Sequence, residues 1–190
     1  MSKRALIITG KLVQDHEYIY PYYRVQEDGY ELDVAVRGKE QVLGQLGVKV
    51  VPTKDIPELR VEDYDVLILP GGAKAMEYLR QDREILRFIA DFHASGRVVL
   101  SICHGAQLLI SAGLVKGRRI SGYYSITDDI NNAGGTYVDA PYVIDDRLCT
   151  SPHYQHLGPW MKAGLALVEQ TKHTRETAAS SHDKIPSRHL

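Results

Sequence analysis

The chain has 190 residues, 44% of them hydrophobic and 25% charged, the balance of an ordinary globular domain with enough chain to bury a core. A formal net charge of -1 gives no reason to expect a nucleic-acid partner, and no apolar run approaches the roughly 18 residues that span a bilayer. Met1-Ser2-Lys3-Arg4 leads into an apolar stretch of only about five residues, too short for a signal-peptide core. Two cysteines without a CxxC spacing argue against a disulfide framework and for a reducing, cytoplasmic compartment.

Short apolar runs alternate with helical patterns. Ala5-Leu6-Ile7-Ile8-Thr9 reads as a buried strand ended by Gly10. A helix over 15–28 follows, with Tyr18, Ile19, Tyr22 and Val25 on one face, Gly29 as a stop, and Pro21 predicting a kink or a late start. Residues 32–36 form a second strand, and Gly44 and Gly47 punctuate a hairpin or edge excursion over 38–52. Val66-Leu67-Ile68-Leu69 is continuously apolar, as a strand covered on both faces requires, and stops at Pro70-Gly71-Gly72. A helix over 82–95, a strand over 97–102 and a helix over 104–112 follow, the last with Gly113 at its C-terminal cap. The remainder reads as a helix near 124–133, short strands at 136–138, 142–145 and 147–150, and a helix from about 155 to 170. This alternation predicts an α/β fold with an open, mostly parallel central sheet and helices on both faces. Residues 1–172 read as one domain, and 173–190 as a polar C-terminal extension without helical or strand period, free to dock on a neighbouring subunit.

Cys103 follows an apolar strand directly and precedes a helix directly, with Ser101 and Gly105 two residues away on either side. This is the pattern of a nucleophile elbow with cysteine in place of serine. A helix N-terminus favours the thiolate, so a lowered thiol pKa is expected. A buried structural cysteine is the alternative, and Cys149 reads that way. His104 suits a base or thiolate partner, although neighbours in a helix do not face each other. Asp128 and Asp129 read as groups complementing a helix start rather than as a catalytic pair. The tyrosines of 18–23 read as a subunit contact or core edge.

Ser101-Ile102-Cys103-His104-Gly105, Leu69-Pro70-Gly71-Gly72, the stretch Asp128 to Gly134, and Ile19-Tyr20-Pro21-Tyr22-Tyr23-Arg24 together resemble the DJ-1/PfpI (ThiJ/PfpI) superfamily, on its PfpI-like branch, over residues 4–170. The resemblance implies a flavodoxin-like sandwich, related to class I glutamine amidotransferase domains, with Cys103 as nucleophile and the Gly72 and His104 amides as oxyanion site. It implies self-association as dimers or hexamers, with Glu77 reaching a neighbouring subunit's elbow histidine, and Tyr123 lining the pocket. No cofactor and no metal is expected.

Two departures stand out against that family. Gln14 aligns with the glutamate that most relatives place at the cysteine sulfur; a shifted alignment would leave Asp15 or Glu17 there instead. Gln donates a hydrogen bond but cannot exchange the proton. After Ser151, Pro152 and His156 stand where many relatives have an arginine and an aspartate, so His153 and His156 enrich the pocket mouth in imidazole. His156 could then supply the missing proton transfer. A zinc site from His153, His156 and Cys103 lacks a spaced set of four ligands. The leading expectation is a cysteine enzyme acting on a small carbonyl or nitrile-like electrophile, as hydrolase, hydratase or glyoxalase. The alternatives are a stress-response redox sensor oxidised at Cys103 and an intracellular peptidase.

Overall fold

The structure, a computed structural model, describes residues 2–182. Its frame is a six-stranded sheet in the order β2-β1-β5-β6-β10-β9. The strands are β1 (Lys3–Ile8), β2 (Tyr30–Ala35), β5 (Val66–Leu69), β6 (Val98–Ile102), β9 (Val143–Asp145) and β10 (Leu148–Ser151). All neighbours pair in parallel except the β9–β10 hairpin. The continuous apolar runs are explained by the two cores. Leu6, Ile8, Leu67, Leu69 and Val99 point into one cluster, and Ala5, Ile7, Ile68, Val98 and Leu100 into the other. Alternate side chains leave opposite faces of a strand, so burial on both faces forbids polar alternation.

One face is covered by α2 (Ala73–Leu79), α3 (Arg83–Ala94), α4 (Ala106–Ser111) and α5 (Thr127–Asn132), the other by α1 (Asp15–Glu27) and α6 (Leu157–His182). This is the flavodoxin-like sandwich. Two small pairs lie outside the main sheet: β3 (Val42–Leu43) with β4 (Lys49–Val50), antiparallel as the glycine pattern predicts, and β7 (Arg119–Ile120) with β8 (Thr136–Tyr137), parallel.

Local chemistry sets the boundaries. Asp82 caps α3 by accepting the Glu84 and Ile85 N–H groups, and Gln14 caps α1 by accepting that of Glu17. α1 starts at Asp15, as the expected helix over 15–28 does, and runs through Pro21 without the late start that the proline suggested. The seven-residue α2 was not anticipated, being too short to display a period. The polar stretch from 173 also departs from expectation: α6 continues through it to His182. Residues 173–178 lie mostly in solvent, so a helix that has left the core carries no apolar stripe. The rest of the expected extension, 183–190, lies outside the described residues. No helix among the described residues is long and apolar enough to cross a membrane.

Candidate active site

The site forms at the carboxyl ends of β5 and β6, where open α/β sheets place their ligands. Chain leaving β6 makes a single 3-10 turn over Cys103–Gly105 before α4, and Cys103 takes φ +60°. A left-handed conformation costs a non-glycine residue about 1–2 kcal/mol, and it is held here by close packing. A Cβ on Gly105 would lie 2.5 Å from the Leu69 carbonyl oxygen and 3.0 Å from Ser101 Oγ. One on Gly71 would lie 2.8 Å from the Cys103 Cβ and 2.5 Å from Glu17 Oε2. Gly72, with φ +107°, approaches the Leu12 carbonyl in the same way. The glycines therefore let three loops close around one sulfur.

Glu17, on α1, is completely buried beside that sulfur. Its Oε2 accepts the Gly71 N–H at 2.9 Å. Its Oε1 is buried without a nitrogen or oxygen partner among the described residues. Burial pushes the Glu17 carboxyl up to about 7, against the hydrogen bonds from Cys103 and Gly71 that favour the carboxylate. Burial also pushes the Cys103 thiol up, with the negative charge of Glu17 next in weight; the Gly72 and His104 N–H groups act in the opposite sense. The thiol pKa is thus raised rather than lowered as expected, because burial and the facing carboxylate outweigh the two backbone N–H groups. Cys103 therefore rests as a thiol beside a carboxyl that holds its proton far more readily than a free one.

His104 does face the Cys103 sulfur, because the 3-10 turn and the left-handed Cys103 bring the two side chains together. Its Nδ1 lies 3.4 Å from Sγ, and its Nε2 lies 3.3 Å from Ser125 Oγ. Burial lowers the His104 pKa, with Asp129 opposing. The Gly72 and His104 amides both act on the sulfur, the arrangement expected for an oxyanion site.

Gln14 is the main correction. Its Oε1 accepts the Glu17 N–H at 3.0 Å and its Nε2 meets His16 Nδ1 at 3.0 Å. It lines the cleft, but the carboxyl at the sulfur is that of Glu17, one of the two residues that a shifted alignment leaves for that place. Asp15 is used elsewhere, accepting the Leu46 and Val48 N–H groups at 2.8 and 2.7 Å. Tyr123 and His153 line the cleft, whereas His156 lies outside its wall. Glu77 is exposed on α2, paired with Lys74 at 2.6 Å, and does not reach the cleft of its own chain. Cys149 is the packed thiol expected, pushed up to about 12 by burial. Asp128 and Asp129 occupy the first turn of α5. No group of three or more His, Cys, Asp or Glu among the described residues is arranged to hold a metal.

Sequence reasoning missed Gln45 and Tyr154 in the cleft wall and Ser125 behind His104. Glu17 had a usable signal. It lies four residues before Pro21 and eight before Val25, on the buried stripe of α1, and a carboxylate in that stripe demands a special reason. Tyr154 had none, since nothing local distinguishes it from the other tyrosines.

A buried thiol on a strand-to-helix elbow, with a carboxyl and an imidazole against it, defines a cysteine-centred α/β protein. The sequence profile of the DJ-1/PfpI family matches residues 3–167, and the chain belongs to that family. An uncharacterized protein of Archaeoglobus fulgidus is 41% identical over 148 residues, 78% of this chain and 88% of that protein. Deglycase PfpI of Pyrococcus furiosus is 34% identical over 166 residues, 87% of this chain and 99% of that one. A solved two-domain protein of Anabaena variabilis, with DJ-1/ThiJ/PfpI-like and ferritin-like domains, superposes with a TM-score of 0.83 at 30% identity over 86% of this chain; the chain spans 47% of that protein.

Proposed function

We propose that the protein is a cysteine-dependent enzyme of glyoxalase or deglycase type, acting on small carbonyl electrophiles with Cys103 as nucleophile and Glu17 as proton carrier. The observation that carries this reading is Glu17 itself: a fully buried carboxyl beside the Cys103 sulfur, raised to about 7, with one buried oxygen that has no partner among the described residues. A general base works best when its pKa lies near the working pH. As Sγ attacks the carbonyl carbon, the Glu17 carboxylate takes the thiol proton, and the Gly72 and His104 N–H groups receive the developing alkoxide. Protonated Glu17 then returns the proton to that oxygen. For an α-oxoaldehyde the adduct is a hemithioacetal. Transfer of its C–H proton to the neighbouring carbon through an enediol gives a thioester. Water cleaves the thioester to a 2-hydroxy acid and restores the thiol, so the sum is substrate plus water with no external oxidant. The name of the Pyrococcus relative, deglycase, agrees with carbonyl-adduct chemistry.

Glu77 enters this proposal as a positioning residue of a neighbouring copy, since it is remote from its own cleft. A self-associated protein whose Glu77→Gln variant keeps its size but changes the pH profile would support that role.

The test is 2-hydroxy acid formation from methylglyoxal, with release of amine from a methylglyoxal–amine adduct in parallel. Turnover abolished in Cys103→Ser and cut by about a hundredfold or more in Glu17→Gln supports the reading. Stoichiometric peroxide oxidation of Cys103 without any turnover would replace it with a redox sensor, and cleavage of fluorogenic peptides alone would replace it with a peptidase.

A further inference from the structure

The cleft beside Cys103, about 300 Å³ in volume and so at the small end for a ligand site, has a wall made of rings. His104 stacks on Tyr123 at 4.7 Å and 27°, and Tyr123 faces His153 at 6.0 Å and 28°. His153 meets Tyr154 at 3.9 Å and 37°, and Tyr154 stacks on His16 at 5.0 Å and 23°. The first four of these rings line the cleft. Two of them are tied by hydrogen bonds: the Tyr123 N–H donates to the Cys103 carbonyl at 3.1 Å, and the His153 ring Nδ1 accepts the Gln155 N–H at 3.2 Å. A ring held by its neighbours on both sides keeps one orientation, so a ligand meets a preformed surface.

The charge of that wall is equally informative. No Lys or Arg among the described residues lines the cleft. Burial holds both His104 and His153 below the ordinary imidazole value, with His156 adding to the effect at His153, so both rings are neutral at pH 7 and above. The remaining ionisable groups are the Cys103 thiol, Glu17 and two tyrosines. A substrate carboxylate would therefore find no counter-charge, and would lie near Glu17. Burying an unpaired charge is strongly disfavoured, whereas a flat apolar group gains from aromatic contact beyond the area it buries.

Resting on the reading of Cys103 as a carbonyl nucleophile, we propose that the cleft selects α-oxoaldehydes whose substituent is flat, apolar and uncharged, an aryl group above all, with His153 and Tyr154 as the residues that set this preference. His153 and Tyr154 belong to the segment directly after Ser151 and stand side by side in the cleft wall. They touch the substituent and not the reacting carbon, so they act on selection between substrates.

The experiment compares kcat/KM from initial rates for phenylglyoxal, methylglyoxal and 4,5-dioxopentanoate, which carry an aryl, a methyl and a carboxylate-bearing substituent on the same reacting group. The expected order is phenylglyoxal above methylglyoxal above 4,5-dioxopentanoate, with the first ratio about tenfold or more. Tyr154→Ala and His153→Ala should each cut the phenyl-to-methyl ratio several-fold, and Tyr154→Phe should keep it. Gln45→Lys, which sets a cation in the wall, should raise 4,5-dioxopentanoate relative to methylglyoxal. Methylglyoxal turnover without an aryl preference in the unmodified protein overturns this inference and leaves the Cys103 reading standing, as does a ratio unmoved in both alanine variants. Absence of turnover with all three substrates overturns both. The comparison in the unmodified protein decides the matter even where a variant fails to fold.

Discussion

Two carboxylates, Glu17 fully buried and Asp33 partly so, receive opposite treatment. Asp33, on β2, has burial working against its charge, but its oxygens accept Thr53 Oγ1 at 2.7 Å, Tyr64 OH at 2.9 Å and Arg4 Nη2 at 2.9 Å. Those partners win, and its pKa lies below the ordinary value. Glu17 has one backbone N–H, one sulfur and an oxygen left over, so burial wins and its pKa rises. Burial opposes the charge in both places, more strongly at Glu17, and the supply of donors decides the outcome. The fully satisfied carboxylate holds strands and loops together, and the undersupplied one keeps a proton within reach of a reaction.

Exchanging each carboxyl for its amide breaks the comparison most sharply. Glu17→Gln keeps an acceptor for Gly71 and a donor for the sulfur but cannot carry a proton, so kcat/KM should fall by roughly 10²–10⁴-fold. Asp33→Asn should leave turnover in place and cost roughly 1–3 kcal/mol of stability, because a donor replaces an acceptor before three donors. Steady-state rates and urea denaturation on both variants check this pair of outcomes.

The next effect concerns stability alone. A carboxyl raised from 4.5 to about 7 in the folded protein stabilises the fold below pH 4.5, and that contribution is lost as pH rises through about 7. Glu17→Gln removes this dependence. At pH 8–9 the variant should therefore be more stable than the parent by up to about 3 kcal/mol, with the difference shrinking toward acid pH. Denaturation midpoints that run parallel across pH 4–9 would show that Glu17 is not the strained group.

A milder consequence appears in the pH dependence of the reaction. In the proposed mechanism the ionised form of Glu17 is the base, so kcat/KM should climb about tenfold per unit up to an apparent pKa near 7 and then level off. A profile flat through that range would move the proton carrier to another residue. The smallest effect belongs to the satisfied carboxylate. Thr53→Val deletes one of its donors and should cost about 1 kcal/mol without displacing the pH–rate curve.

Sheet, layers and elbow were legible for a physical reason. Residues 5–8, 66–69 and 98–102 are buried on both faces, and a short apolar run closed off by glycine is the trace such a strand leaves in a sequence. Cys103 announced itself by its place at a strand end. The identity of its carboxyl partner was not legible by counting along the chain, because the segment between β1 and α1 is irregular, with Leu12 at φ +63°; a buried stripe on α1 would have been the better ruler. The thiol's proton affinity was misjudged because helix dipoles can be inferred from sequence while depth of burial cannot. The short α2 and the exposed 173–178 stretch of α6 escaped because neither has a period to read.

The hairpin of β3 and β4 has a consequence for how the cleft is entered. Asp15 grips the Leu46 and Val48 N–H groups, and the Gln45 N–H donates to the Val13 carbonyl at 2.9 Å. The loop that carries Gln45 to the rim is thus bolted to the start of the helix that carries Glu17. A rim fastened to the helix of the proposed base cannot swing as a door. Traffic on that side is expected to be ungated, and the time a product spends in the cleft should be governed by how tightly it adheres to the walls.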